Sequence, residues 1–227
     1  MVGDHLARRQ LDSPRSAAIA GVLFALLFAA GLALVRSALP VEVVAGVEWL
    51  NESARVRMNL GLALVPFAGI AFLWFMGVVR DRFKESEDQL FSSVFIGSGL
   101  LFLAMVFVSA AIAGGTVAAV PLATDDAGRA EVANFGRAMM LQVSNIYALR
   151  MAGVMLIALG TMWLRTGVMP RWLAFTTYGV AIVLLFVTSL SAWVVFIFPA
   201  WVLAVSAFIL SLNFRNQGTG PRRAGGE

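Results

Sequence analysis

EVANFGRAMMLQVSNIYALRMAGVMLIALGTMWLR, residues 131–165, is the stretch whose reading decides the fold. Its second part, 145–164, is apolar over the ~20 residues needed to cross ~30 Å of hydrocarbon, and Arg165 ends it. Inside that run stands Arg150. At ~1.5 Å per residue it lies roughly 22 Å from Arg165, in the far leaflet. An arginine there costs ~2.5 kcal/mol or more at the helix centre and less near an interface. By helical spacing Arg150 shares a face with Val143, Ile146, Tyr147, Val154, Ile157 and Thr161, and Gly153 beside it leaves room for a neighbour or a ligand. Asn134, Arg137 and Ser144 fall on the opposite face, so 131–144 reads as the same helix continuing into the outer interface.

The rest of the chain has the same character. Of its 227 residues, 60% are hydrophobic and 13% charged, about half the ~25% charge of soluble domains. Further apolar runs at 16–35, 60–79, 90–113, 172–190 and 193–212 make six expected spans. The expected fold class is therefore all-α, a polytopic transmembrane helical bundle in one domain, 16–213. A polar N-terminal tail (1–15) precedes it and a Gly-rich, disordered tail (214–227) follows it. Ser13-Pro14 reads as a helix start, Gly114-Gly115 as the end of the third span, and Gly167 with Pro170 as the turn after the fourth. The few residues joining the last two spans predict an antiparallel hairpin. Residues 41–54 alternate Val43, Val44, Val47, Leu50 and Ala54 on one face with Glu42, Glu48 and Glu52 on the other. That pattern predicts a short amphipathic helix in the interface between spans 1 and 2.

Along the first span Ala17, Gly21, Ala25, Ala29 and Ala33 recur at steps of four, a spacing that lets helix backbones approach closely in lipid. Basic residues fix the expected orientation. With the N-terminus inside, Arg8, Arg9, Arg15, Arg80, Arg82, Lys84, Arg165, Arg171, Arg215, Arg222 and Arg223 are internal. Arg36, Arg55, Arg57, Arg129 and Arg137 remain outside or at the outer interface, so both termini are expected in the cytoplasm. The preference for Arg over the single Lys84, with the Ala, Val and Gly load, points to a GC-rich bacterium and its plasma membrane. The pattern resembles, in a generic way, the small six-helix membrane proteins of bacteria; no family motif is matched.

Function classes are narrowed mainly by what the spans lack. There is no Cys, and the one histidine, His5, lies in the tail. Thiolate chemistry, iron–sulfur clusters, a membrane haem ligated by His and multi-His metal sites are thereby excluded. No catalytic residue, metal or cofactor is assigned, and the net charge of +4, confined to flanks and loops, does not point to nucleic acid. No span holds Asp, Glu, His or Lys, which argues against proton-coupled transport and removes the usual general bases from the membrane. Scattered hydroxyls (Ser98, Ser109, Thr161, Thr176, Thr177) are expected to bond to backbone or to a neighbouring helix.

What remains is a cluster at one depth. Pro66 and Pro199 each free a carbonyl four residues earlier, of Leu62 and Val195, and such carbonyls need partners in lipid. Arg150, Tyr147, Asn145, Gln142 and Gly153 lie at similar depth. In the plainer reading Arg150 is scaffold, snorkelling outward or paired with an external acid. In the sharper one these seven residues line an outer-leaflet cavity that binds a lipid, another anionic or amphipathic ligand, or a partner. The expected function is thus non-enzymatic, with the bilayer as its partner and a homo-oligomer compatible with it. The alternative is a small-solute transporter or channel. A membrane enzyme using loop carboxylates such as Asp125 and Asp126 comes third.

Overall fold

The computed structural model describes residues 2–40, 46–81, 89–167, 169–186 and 193–218. The protein is an all-α bundle, with no strand among the described residues. Its helices are α1 (Val2–Ala38), α2 (Glu52–Asp81), α3 (Gln89–Ala119), α4 (Asp126–Gln142), α5 (Leu149–Thr166), α6 (Arg171–Phe186) and α7 (Ile197–Gly218). A π-helical turn, Val143–Ala148, fuses α4 and α5 into one rod. Among the described residues five stretches are long and apolar enough to cross a membrane: Ala18–Ala38, Glu52–Asp81, Leu90–Leu122, Asp126–Thr166 and Val194–Ser211. At 16 described residues α6 is shorter; the remainder of the expected fifth span, 187–190, lies outside the described residues. Large apolar side chains point away from the bundle all round it, among them Ile19, Leu26, Phe67, Trp74, Leu101 and Phe175. An apolar surface of that extent suits lipid and not water, and the chain is a membrane protein.

Several boundaries move from their expected places. Backbone helix begins at Val2, so Pro14 lies within α1 instead of starting it. The glycines at 114 and 115 do not end α3, which runs on to Ala119 and a 3-10 turn, Val120–Leu122; glycine is a frequent residue within membrane helices. Asp125 caps α4, accepting from the Gly128 backbone N–H at 2.9 Å, so that helix starts before residue 131. At the other end Gly167 takes φ +64° and donates to the Trp163 carbonyl, the left-handed cap expected where a helix meets Gly. Between α1 and α2 the described residues hold a shorter interfacial segment than the 41–54 pattern suggests. It is a single 3-10 turn, Glu48–Leu50, while Glu52 and Ala54 already belong to the first turn of α2, and 41–45 lie outside the described residues. Pro199 sits in the first turn of α7 and starts that helix instead of interrupting it. Helix α7 continues to Gly218, into the expected tail; the loop residues 82–88 and the tail residues 219–227 lie outside the described residues.

Helix α1 packs along α2 and α7, α3 fits against α5, α4 and α2, and α6 lies on α5. Helices α6 and α7 touch only slightly, so the expected hairpin does not form among the described residues. The reason is local: Gly153 opens a notch on α5 that takes Leu185 and the Ala181 carbonyl of α6, and the Tyr178 hydroxyl meets Thr161 Oγ1 at 2.7 Å. In lipid, where apolar burial brings no hydrophobic gain, such close fits decide which helices pair.

Two apolar cores result. The main one centres on α1, α2, α3, α5 and α7, with Phe24, Phe72, Phe75, Phe95, Phe102 and Phe198 almost fully buried. A smaller one joins Ala38, Leu50, Ala54, Met58, Ala113, Val120, Ala133 and Met140 at the end of the bundle where α1 stops and α4 begins, called here the distal end. The first half of the small-residue stripe on α1 is packed: Gly21 abuts Ser206 and Phe75, and Ala25 is buried. Leu26 points outward. Ala25→Leu is expected to lower the melting temperature in detergent, by the ~1–3 kcal/mol typical of overpacking. Leu26→Ala should change it little; equal tolerance of the two would remove the close-packing account.

Candidate functional site

The π turn sets the geometry of the site. On α4 the buried positions are Ala133, Gly136, Met140 and Val143, at helical spacing. The next position in that rhythm is Tyr147. The buried face resumes instead at Ala148 and continues through Ala152, Met155 and Leu159. One residue has been inserted into the turn, which is what i→i+5 bonding does. Tyr147 is thereby turned out, 52% exposed, and Arg150, one turn further along, is exposed with it. The widened turn is tied across to α3, where the Ser109 hydroxyl donates to the Met140 carbonyl at 2.9 Å.

Beside this turn, between the two cores, lies a cavity of about 70 Å³. Its walls are apolar, drawn from α1 (Leu27, Gly31, Leu32, Val35), α2 (Leu62, Val65), α3 (Val106, Ala110, Ala113) and the α4–α5 rod (Met140, Leu141, Ala148, Leu149). Phe28 and Phe102 form its floor. Behind them stand Phe24, Phe72 and Phe198, with ring centroids 4.7–6.2 Å apart. The T-shaped and tilted contacts among these rings make a dense plug. Leu62, whose carbonyl loses its helical partner to Pro66, lines the cavity, and so does Val195.

The polar groups gather at its distal mouth. Arg36 lines it, and its Nη2 donates to Asn145 Oδ1 at 2.5 Å. Asn145 lies within the π turn, and the Ser144 hydroxyl beside it also donates to that oxygen, 3.2 Å away. One turn above Leu141, Arg137 Nη2 donates to the Pro40 carbonyl at 3.0 Å, while its Nε is buried without a hydrogen-bond partner. Asn145 is roughly 30 Å from Arg165 along the rod, one hydrocarbon thickness away. The mouth is thus at headgroup level, and the cavity descends from Arg36 to Leu27 by roughly 13 Å.

The seven residues singled out in the sequence are not brought together. Asn145 stands at the mouth. Gln142, Tyr147 and Arg150 are exposed on the outer side of the rod, and Pro66 is exposed on α2. Gly153 is covered by α6, and Pro199 is buried in α7. Among the described residues Arg150 is paired with no carboxylate; Asp126 is held by Arg129 at 3.2 Å. Glu42 lies outside the described residues. Arg36, Arg137 and Ser109 carry the polar side of the mouth instead. In the sequence the two arginines register only as outer positive charges, and Ser109 as one hydroxyl among several. The hydroxyls do bond as expected: Thr161, Thr176 and Thr177 donate to the carbonyls of Ile157, Leu173 and Leu173, and Ser98 to that of Val94. Comparison with protein-family models, with curated proteins and with solved structures gives no match for the chain.

Proposed function

We propose that this membrane protein is non-enzymatic and holds the acyl chain of an amphipathic ligand in the cavity beneath Arg36 and Asn145. In this reading the distal end faces outward and both termini are cytoplasmic in a bacterial plasma membrane, as the basic-residue asymmetry favours. The observation that carries it is the shape and chemistry of the cavity: an apolar slot, polar only at headgroup level and floored by phenylalanine rings. At about 70 Å³ it is well below the ~300–1,000 Å³ of clefts that enclose whole small molecules, and suits a length of chain. Arg150 belongs to the lipid-facing side of the same rod, where its stem can reach the headgroups.

The phenylalanine plug weighs against the alternative of a solute path. So do Thr161, Thr176 and Thr177, the polar groups such a path would need in the other half, because each is committed to its own helix backbone. Filling the slot tests the reading. Native mass spectrometry of protein extracted in mild detergent should show one lipid retained per chain. Ala110→Phe, which projects a ring into the slot, should lose that lipid while melting at or above the wild-type temperature once both proteins are delipidated. Equal lipid retention by both proteins would refute the proposal.

A further inference from the structure

Arg36 lines the mouth of the cavity and Arg137 stands one turn from its lining residue Leu141; among the described residues both are answered only by neutral oxygens, Asn145 Oδ1 for Arg36 and the Pro40 carbonyl for Arg137. They lie within electrostatic reach of each other. Arg137 also keeps its Nε buried and unpartnered. A buried donor left unmade costs ~1–3 kcal/mol, more when charged, and two like charges at the edge of hydrocarbon repel with little water to screen them. The arrangement is completed by an anion. The described acids near this end do not supply it: Glu48, Glu52, Asp125, Asp126 and Glu131 are all exposed. Arg137, Leu141 and Ser144 follow one another at helical spacing on one face of the rod, and the latter two line the cavity. The cations and the apolar slot are therefore stacked, charge above and hydrocarbon below, at the depth where a phospholipid has the same order.

We propose that Arg36 and Arg137 together bind the phosphate of an anionic phospholipid whose acyl chain occupies the cavity; this rests on the acyl-chain reading above. The guanidinium fork suits phosphate oxygens, with two parallel donors to one group. A net negative headgroup is selected over a zwitterionic one, because a choline beside two arginines adds a third positive charge.

The test is a thermal-shift titration of delipidated protein in detergent with phosphatidylglycerol, with phosphatidylcholine of the same chains, and with inorganic phosphate alone. Phosphatidylglycerol is expected to stabilise at lower concentration than phosphatidylcholine, and inorganic phosphate to do little. Arg137→Gln should weaken phosphatidylglycerol about ten- to hundredfold, as loss of a charged hydrogen bond does, and leave phosphatidylcholine unchanged. Arg150→Gln, on the outer side of the rod, should keep the full preference. Should Arg137→Gln not fold, Arg137→Lys keeps the charge without the fork, and an unchanged preference in it overturns the proposal. Equal stabilisation by the two lipids, both abolished by Ala110→Phe, would overturn the anionic headgroup and keep the acyl-chain reading. Stabilisation by neither lipid overturns both. Protection by inorganic phosphate equal to that by phosphatidylglycerol, or loss of preference in Arg150→Gln, also overturns the inference.

Discussion

Gly61→Leu will cost at least ~3 kcal/mol, the upper end of overpacking effects, whereas Gly97→Leu on α3 will leave the melting temperature almost unchanged. The difference lies in what each new side chain meets. A Cβ on Gly61 falls 2.8 Å from the Gly31 carbonyl oxygen, 2.9 Å from Val35 Cγ2 and 3.2 Å from Leu34 Cβ. The reciprocal Cβ on Gly31 falls 3.1 Å from the Gly61 carbonyl oxygen. The two carbonyl oxygens are backbone atoms of long helices, which cannot swing aside as a side chain can. Around Gly97 nothing lies within 4 Å. Separation of α1 from α2 would also open the slot, since Gly31, Leu32, Leu62 and Val65 line it. Melting of the two variants in one detergent decides the point. A Gly61→Leu protein as stable as wild type would mean that the α1–α2 crossing is looser than the structure has it.

The same crossing shows which parts of the packing were legible in the sequence. Small residues at steps of four on α1 announced a close contact, and Gly21 and Ala25 make one. Each step of four overshoots the ~3.6-residue turn by ~40°, so the series from 17 to 33 winds roughly 160° round the helix. Ala33 has left the interface and is exposed. The buried line follows alternating steps instead: Gly21, Phe24, Phe28, Gly31, Ala38. Gly31 and Gly61 become partners only through the crossing of two helices, which no spacing within either one reveals.

Membrane character and helix count follow from composition and apolar run length, both local properties. The site does not. Its placement at Arg150 assumed an uninterrupted rotation of ~100° per residue along 131–165, and the π turn adds one residue to that rotation. Everything beyond Val143 is turned by it, which takes Tyr147 and Arg150 out of the bundle and leaves Asn145 facing Arg36, a residue 109 positions earlier. Pro66 is more informative: the carbonyl it releases belongs to Leu62, which lines the cavity, whereas Pro199 starts α7 and releases none. A proline acts at a fixed distance along its own chain, so its effect survives ignorance of the tertiary fold. An arginine at the end of an apolar run looks the same whether it meets solvent, lipid or an asparagine from another helix.

Asn145→Leu will destabilise the protein by ~1.5–3 kcal/mol, the range for a hydrogen bond to a charged group, and Arg36→Met added to it will restore most of that loss. Breaking a polar pair by removing one partner costs more than removing both. With leucine at 145 the Arg36 guanidinium keeps its charge at the edge of the cavity and loses the acceptor that meets it at 2.5 Å. The wall residues near it, Val35, Leu39 and Leu141, offer only hydrocarbon side chains in its place. With methionine at 36 as well, no charge remains to be stranded, and two apolar side chains of similar length fill the mouth. Arg36→Met alone leaves only a neutral amide without its donor, and Ser144 lies 3.2 Å from that oxygen to share it. It should therefore cost less than Asn145→Leu. The four proteins, delipidated and melted in one detergent, give a double-mutant cycle with an expected coupling of ~1–3 kcal/mol, within the range for directly contacting residues. Strict additivity of the two single changes would mean that Arg36 and Asn145 are neighbours without being partners.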